Sequence, residues 1–152
     1  MTKAIDIAVP LVKHFEGLYL KAYECPAGKL TIYYGHTGHD VYEGMTGTEK
    51  QANARLAEDL ADAENDVDDM VTVPLADHEK AALISFVFNL GGHALEQSTL
   101  LRKLNAGDKI GAASEFLRWD KATVRGVKVS LRGLTLRRRA ESTLFSTGKI
   151  EL

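Results

Sequence analysis

The sequence predicts a mainly helical α+β fold with one small antiparallel sheet near its N-terminus. Apolar residues recur at helical spacing through residues 4–15 and again beyond Thr48. Aromatic and β-branched residues cut by glycines fill Leu18 to Tyr42, and everything after Pro74 reads as helix. At 152 residues the chain fits one domain, large enough to bury roughly two thirds of the surface its unfolded form exposes.

Ile5, Ala8, Val9, Val12 and Phe15 line one face of the first helix, and Gly17 stands where it stops. Glu16 therefore occupies a helix C-terminus, whose partial negative charge disfavours an ionised carboxylate and so suits a proton donor. Pro26, Gly28, Gly35, Gly38 and Gly44 punctuate the short strands that follow, and Cys25 and Thr31 fall in that sheet. Thr48 with Gln51 makes a capping box, opening a helix rich in Ala, Leu, Glu and Asp that runs to about Val71 and suits a connector between lobes.

Pro74 ends that helix, and Asp77 is placed to cap the next, which carries Ala81, Leu83, Ile84, Phe86, Val87, Phe88 and Leu90 and is closed by Gly91 and Gly92. A helix apolar almost all round is a buried one. Ser98 caps a short helix ending near Gly107, Asp108 caps another running to about Trp119, and Leu134 to Phe145 form the last. Phe116 and Trp119 read as core.

With 45% apolar and 26% charged residues, the composition excludes a disordered or membrane-embedded chain. The net charge of −2 hides an acidic run (Glu58, Asp59, Asp62, Glu64, Asp66, Asp68, Asp69) and a basic one (Arg118, Lys121, Arg125, Lys128, Arg132, Arg137, Arg138, Arg139). Such runs are first of all solvated helix faces, although a basic half also suits a polyanion such as nucleic acid or a cell wall. A single cysteine allows no intrachain disulfide and points to a reducing compartment. Lys3, Asp6, Pro10 and Lys13 interrupt the N-terminal stretch, so neither a secretory signal nor a membrane segment is expected. His14, His39, His78 and His93 have no metal-binding spacing, so no metal or cofactor is expected.

Glu16 is followed nine positions on by Cys25 and fifteen on by Thr31. Hydrolysis of a glycosidic bond needs one carboxyl to protonate the leaving oxygen and a second group to deliver water or attack from the opposite face. An acid at a helix end and a hairpin bearing a thiol and a hydroxyl offer both positions.

The segment EGLYLKAYECPAGKLTIYYGHT resembles the active-site segment of the phage-type lysozymes, glycoside hydrolase family 24. Their pattern is Glu, eight residues, Asp or Cys, five residues, Thr, matched here by Glu16, Cys25 and Thr31. The family's G-Y-G-H-T is similar to Tyr33-Tyr34-Gly35-His36-Thr37, with tyrosine replacing the first glycine. The resemblance continues through the Thr48 helix, FNLG at 88–91, STLLRKLNAG at 98–107, FLRW at 116–119, and a GLxxRRxxE formed by Gly133, Leu134, Arg137, Arg138 and Glu141.

The resemblance implies a lysozyme-like two-lobed fold within one domain, 1–152. A sheet-bearing lobe covers about 17–60, a long helix at about 48–71 joins it to a helical lobe at about 74–152, and the first helix belongs to the helical lobe. It implies Glu16 as general acid and Thr31 as a holder of the attacking water in an inverting course. Cys25 stands where most members carry Asp. A thiol with a pKa of about 8.5 acts as base or nucleophile only if that value is lowered; otherwise Cys25 merely stabilises the site.

Thr37, Phe88, Asn89 and Ser98 are expected to contact sugar. One of Arg137 or Arg138 is expected to pair with Glu16 while the other arginines of 137–139 stay in solvent, and His36 and Asp59 are expected to tie hairpin to helix. The activity implied is an endolysin's: cleavage between N-acetylmuramic acid and N-acetylglucosamine in peptidoglycan by a monomer held in the host cytoplasm until lysis. It then reaches the periplasm and wall through a separate holin, with no nucleic-acid partner. The alternative is a wall-binding protein of the same fold whose Cys25 marks lost catalysis.

Overall fold

A computed structural model of the chain describes residues 1–25 and 27–152; Pro26, read above as a turn residue, lies outside the described residues. In chain order the elements are α1 (Lys3–Glu16), β1 (Tyr19–Glu24), β2 (Leu30–Tyr33), α2 (Glu49–Met70), α3 (Asp77–Leu90), α4 (Gly92–Gln97), α5 (Thr99–Asn105), α6 (Lys109–Glu115), a 3₁₀ turn (Phe116–Arg118), β3 (Lys121–Val124), β4 (Val127–Ser130) and α7 (Arg132–Thr147).

α3 is the central post, with every residue from Ala81 to Val87 buried, and α1, α2 and α7 pack around it. Phe86 meets Phe116 and Trp119 edge-on, each at 5.6 Å, in the arrangement that aromatic quadrupoles favour. α1 starts where the Thr2 hydroxyl accepts the Ile5 N–H and ends at Gly17 (φ 73), which points Glu16 out of the helical layer. The Thr48–Gln51 capping box opens α2. The acidic run on α2 is not wholly solvated, since Glu64 is buried and accepts the Thr2 hydroxyl at 2.7 Å.

β1 and β2 pair antiparallel with Tyr23 opposite Thr31, and Ile32 and His36 exchange backbone hydrogen bonds across a tight return. Tyr33, at the position where the resemblance has glycine, adopts φ 60. Its ring is buried against Gly47, where a β-carbon would collide with the phenol. That packing holds a conformation natural to glycine and costly for tyrosine.

The second half is not all helix. Residues 121–130 form the β3–β4 hairpin, turned by Arg125 (φ 51) and Gly126 (φ 79), two successive left-handed residues that match a two-residue hairpin turn. Gly91 alone closes α3, and Gly92 already begins α4. The cap of α3 is Ala76 rather than Asp77: the Glu79 carboxylate accepts the Ala76 N–H at 2.8 Å, and Asp77 is the first helical residue. The helix after Asp108 gives way at Phe116 to the 3₁₀ turn.

Candidate active site

Glu16 emerges from the end of α1 with its side chain 20% exposed, open enough to meet a ligand. Its Oε2 accepts from Arg137 Nη1 at 2.6 Å. Its Oε1 lies against Gly35 (φ +70), where a β-carbon would fall 2.5 Å from that oxygen, so only glycine lets the hairpin come this close to the acid. Arg137 is buried in α7 with its guanidinium 5.9 Å from the Phe15 ring centroid.

Cys25 follows β1, its N–H donating to the Lys29 carbonyl at 2.9 Å and its carbonyl accepting from Gly28 N–H at 2.8 Å. Burial pushes the thiol up, but the backbone N–H groups of Lys29 and Ala27, the Thr31 side chain and the residue's own N–H outweigh it and hold it below the ordinary thiol range. Thr31 is buried in β2 and donates to the Lys29 carbonyl at 3.1 Å. Tyr23 lies in β1 opposite Thr31 of β2. Burial raises the Tyr23 phenol first, and the neighbouring Tyr19, Glu16 and Cys25 raise it further.

A groove of about 220 Å³ opens between the hairpin's end (Gly35, His36, Thr37), α2 (Asp59, Asp62, Asp66) and the end of α3 (Val87, Phe88). Thr37 also lines a wider hollow of about 590 Å³ beside Lys29, Leu30 and Val41. Thr37 and Phe88 thus face one groove. Asn89 lies behind it, its Oδ1 accepting from Arg138 Nη2 at 2.9 Å.

His36 Nδ1 stands 2.7 Å from Asp59 Oδ2, joining hairpin to α2. Its Nε2 is 3.0 Å from both oxygens of Asp40, a partner the sequence reading missed despite the i,i+4 spacing. The hydrogen bond to His36 holds Asp40 below the usual carboxylate range, whereas burial pushes Asp59 above it, against the pull of the same ring.

One expected sugar contact has other partners, and one expectation of exposure is corrected. The Ser98 hydroxyl accepts from Leu101 N–H at 3.0 Å and donates to the Leu95 carbonyl at 2.7 Å, so its polar atom is committed to backbone beside a separate hollow lined by Trp119, Lys121 and Lys128. Arg138 does not stay in solvent: it is fully buried, its Nε is 2.7 Å from Glu141 Oε1, and its guanidinium lies 5.3 Å from the Phe86 ring centroid. Glu141 was legible only as part of a motif.

A two-lobed helical fold with an arginine-held acid at the end of its first helix, facing a small sheet, defines the lysozyme-like class. A family model for phage lysozyme matches residues 13–141. The chain belongs to the phage lysozyme family, and it is a hydrolytic enzyme whose substrate is bacterial peptidoglycan. It is 47% identical over 137 residues to an endolysin of Acyrthosiphon pisum secondary endosymbiont phage 1, covering 90% of this chain and 93% of that one. Among solved structures it resembles the endolysin from Escherichia coli O157:H7 phage FAHEc1, with TM-score 0.88, 37% identity, and coverage of 100% and 96%. It also resembles the muramidase domain of SpmX from Asticaccaulis excentricus, with TM-score 0.85, 38% identity, and coverage of 92% and 95%.

Proposed function

We propose that this lysozyme cleaves the bond between N-acetylmuramic acid and N-acetylglucosamine, with Glu16 as general acid and Cys25 and Thr31 on the water side. The carrying observation is that Glu16, partly exposed at the end of α1, is held by Arg137 Nη1 at 2.6 Å and lies against Gly35, just beyond the strand β2 that carries Thr31. In the proposed reaction Glu16 gives its proton to the glycosidic oxygen as that bond breaks. A water held by Thr31 attacks the anomeric carbon from the opposite face and passes its proton to the Cys25 thiolate, which inverts the configuration. Thr37 and Phe88 wall the sugar groove, and Asn89 next to Phe88 is held by Arg138.

The reading divides the single domain into a sheet lobe (17–60), a connecting helix (48–71) and a helical lobe (74–152 with α1). It includes action as a monomer and passage to the wall at host lysis by a separate holin. Among the described residues no helix is long and apolar enough to cross a membrane. Glu16→Gln is expected to lose roughly 10³-fold in clearing permeabilised bacteria while still binding sacculi. Analysis of the reducing ends and anomers of released muropeptides reads bond choice and stereochemistry together.

A further inference from the structure

Arg137 and Arg138 are neighbours in sequence, 3% and 0% exposed, and Glu141 beside them is 0% exposed. Two like charges taken from water together are costly unless a counter-charge is fixed between them. Glu141 is that counter-charge. Its Oε1 is 2.7 Å from Arg138 Nε, and its Oε2 accepts from Ser85 Oγ at 2.5 Å, Arg138 Nη2 at 3.0 Å and Arg137 Nε at 3.4 Å.

The consequence reaches Glu16. With Nε turned to Glu141 and Nη2 lying 3.4 Å from both the carbonyl and hydroxyl of Ser85, Arg137 presents Nη1 alone to Glu16. A free guanidinium would grip a carboxylate with two parallel N–H groups. Glu16 Oε1 is left on the Gly35 side, with no hydrogen-bond donor among the described residues.

We propose that Glu141, anchored by Ser85, is a positioning residue for the catalytic acid: it fixes Arg137 and draws off part of its charge, so that Glu16 meets a single N–H rather than a two-pronged grip. The inference rests on Glu16 being the general acid.

The other charged groups packed around this cluster are engaged elsewhere. On α1, Lys13 lies 5.0 Å from the Tyr34 ring centroid and His14 packs edge-on to Phe15. On α3, His78 Nδ1 is 3.0 Å from the Leu144 carbonyl oxygen. On α6, Glu115 pairs with Arg118 at 2.9 Å and Lys103 at 3.8 Å. On β1, Tyr23 is kept neutral, by burial first. Glu141 is thus the group that divides the arginine charge with Glu16.

The test is the pH dependence of kcat/KM on soluble peptidoglycan fragments for wild type, Glu141→Gln, Glu141→Asp and Glu16→Gln. Glu141→Gln hands both arginines undivided to Glu16, so the alkaline limb moves to lower pH by about one unit, and the loss relative to wild type deepens about tenfold from the acid to the alkaline side. Glu141→Asp keeps the buried charge balance, and its fold is checked by urea unfolding. Its carboxylate is drawn back from Arg137 by one methylene, so its limb moves the same way by less, and that variant alone decides if the glutamine variant does not fold. Equal loss at every pH, or unmoved limbs, overturns the role of Glu141. Turnover retained by Glu16→Gln overturns the acid assignment instead, whatever the two Glu141 variants do.

Discussion

Arg137 reaches Glu16 across 121 positions of sequence, its Nη1 donating to Oε2 at 2.6 Å from a side chain only 4% exposed. This contact ties the last helix to the end of the first, so it belongs to stability as much as to chemistry. Arg137→Met leaves Glu141 with one arginine and Glu16 with none. Glu16 is partly exposed and Glu141 keeps Arg138, so a fall of about 1–3 kcal/mol is expected in urea unfolding at neutral pH. A loss under about 1 kcal/mol counts against the pair as a tie between helices.

Cys25 carries a pH prediction with a definite sign. Its thiol is held below its ordinary range, so the thiolate is present above that lowered value and is lost as pH falls through it. Carboxymethylation by iodoacetate should reach half its limiting rate at a lower pH than for a cysteine in an unstructured peptide, and the modified enzyme should be inactive. Cys25→Ala is expected to lose about 10²-fold in turnover. Cys25→Asp, ionised without help, should keep turnover and ignore the reagent. Full turnover in Cys25→Ala removes the thiol from the reaction.

Around His36 the two carboxylates have opposite signs. Asp40 is held low by its hydrogen bond to His36, so its stabilisation is present above the ordinary carboxylate value and is lost as pH falls through the lowered one. With Asp40 48% exposed, that contribution is at most about 1 kcal/mol. Asp59, 17% exposed, is pushed up by burial, so its stabilisation is full below the ordinary value and is lost as pH rises through the raised one. Urea midpoints between pH 3 and 7 should show the deficit of Asp40→Asn growing with pH and that of Asp59→Asn shrinking. Parallel slopes refute the assignment.

Much of this architecture was legible because its causes are local. The Thr48–Gln51 capping box, the Gly17 stop and the all-round apolar α3 each announce themselves within a few residues, and Glu16, Cys25 and Thr31 follow from one contiguous segment. The β3–β4 hairpin was missed although Ala122, Val124, Val127 and Val129 share one face, as cross-strand pairs 122 with 129 and 124 with 127. Its turn is Arg-Gly rather than the Asn-Gly or Asp-Gly that favours two left-handed residues, and its cations imitate a solvated helix. Ser85, Asn89 and Glu141 converge only because α3 crosses α7, which no spacing along the chain reveals.

Gly35 should be the least replaceable glycine in the chain for catalysis. At φ +70 an alanine there pays roughly 1–2 kcal/mol for the left-handed backbone. Its β-carbon would also lie 2.5 Å from Glu16 Oε1 and 2.7 Å from Cδ. The carboxylate is the movable partner, so relief comes from swinging Glu16 away from the groove, and a displacement of about 1 Å in a reacting group costs on the order of 10²-fold in rate. Gly107→Ala is the matched control, since Gly107 has φ +87 and nothing within 4 Å of an added β-carbon. Both variants should lose similar stability in urea unfolding, while only Gly35→Ala loses turnover. Equal turnover in the two would mean that Glu16 adapts without cost and that the close approach of hairpin to acid has no catalytic purpose.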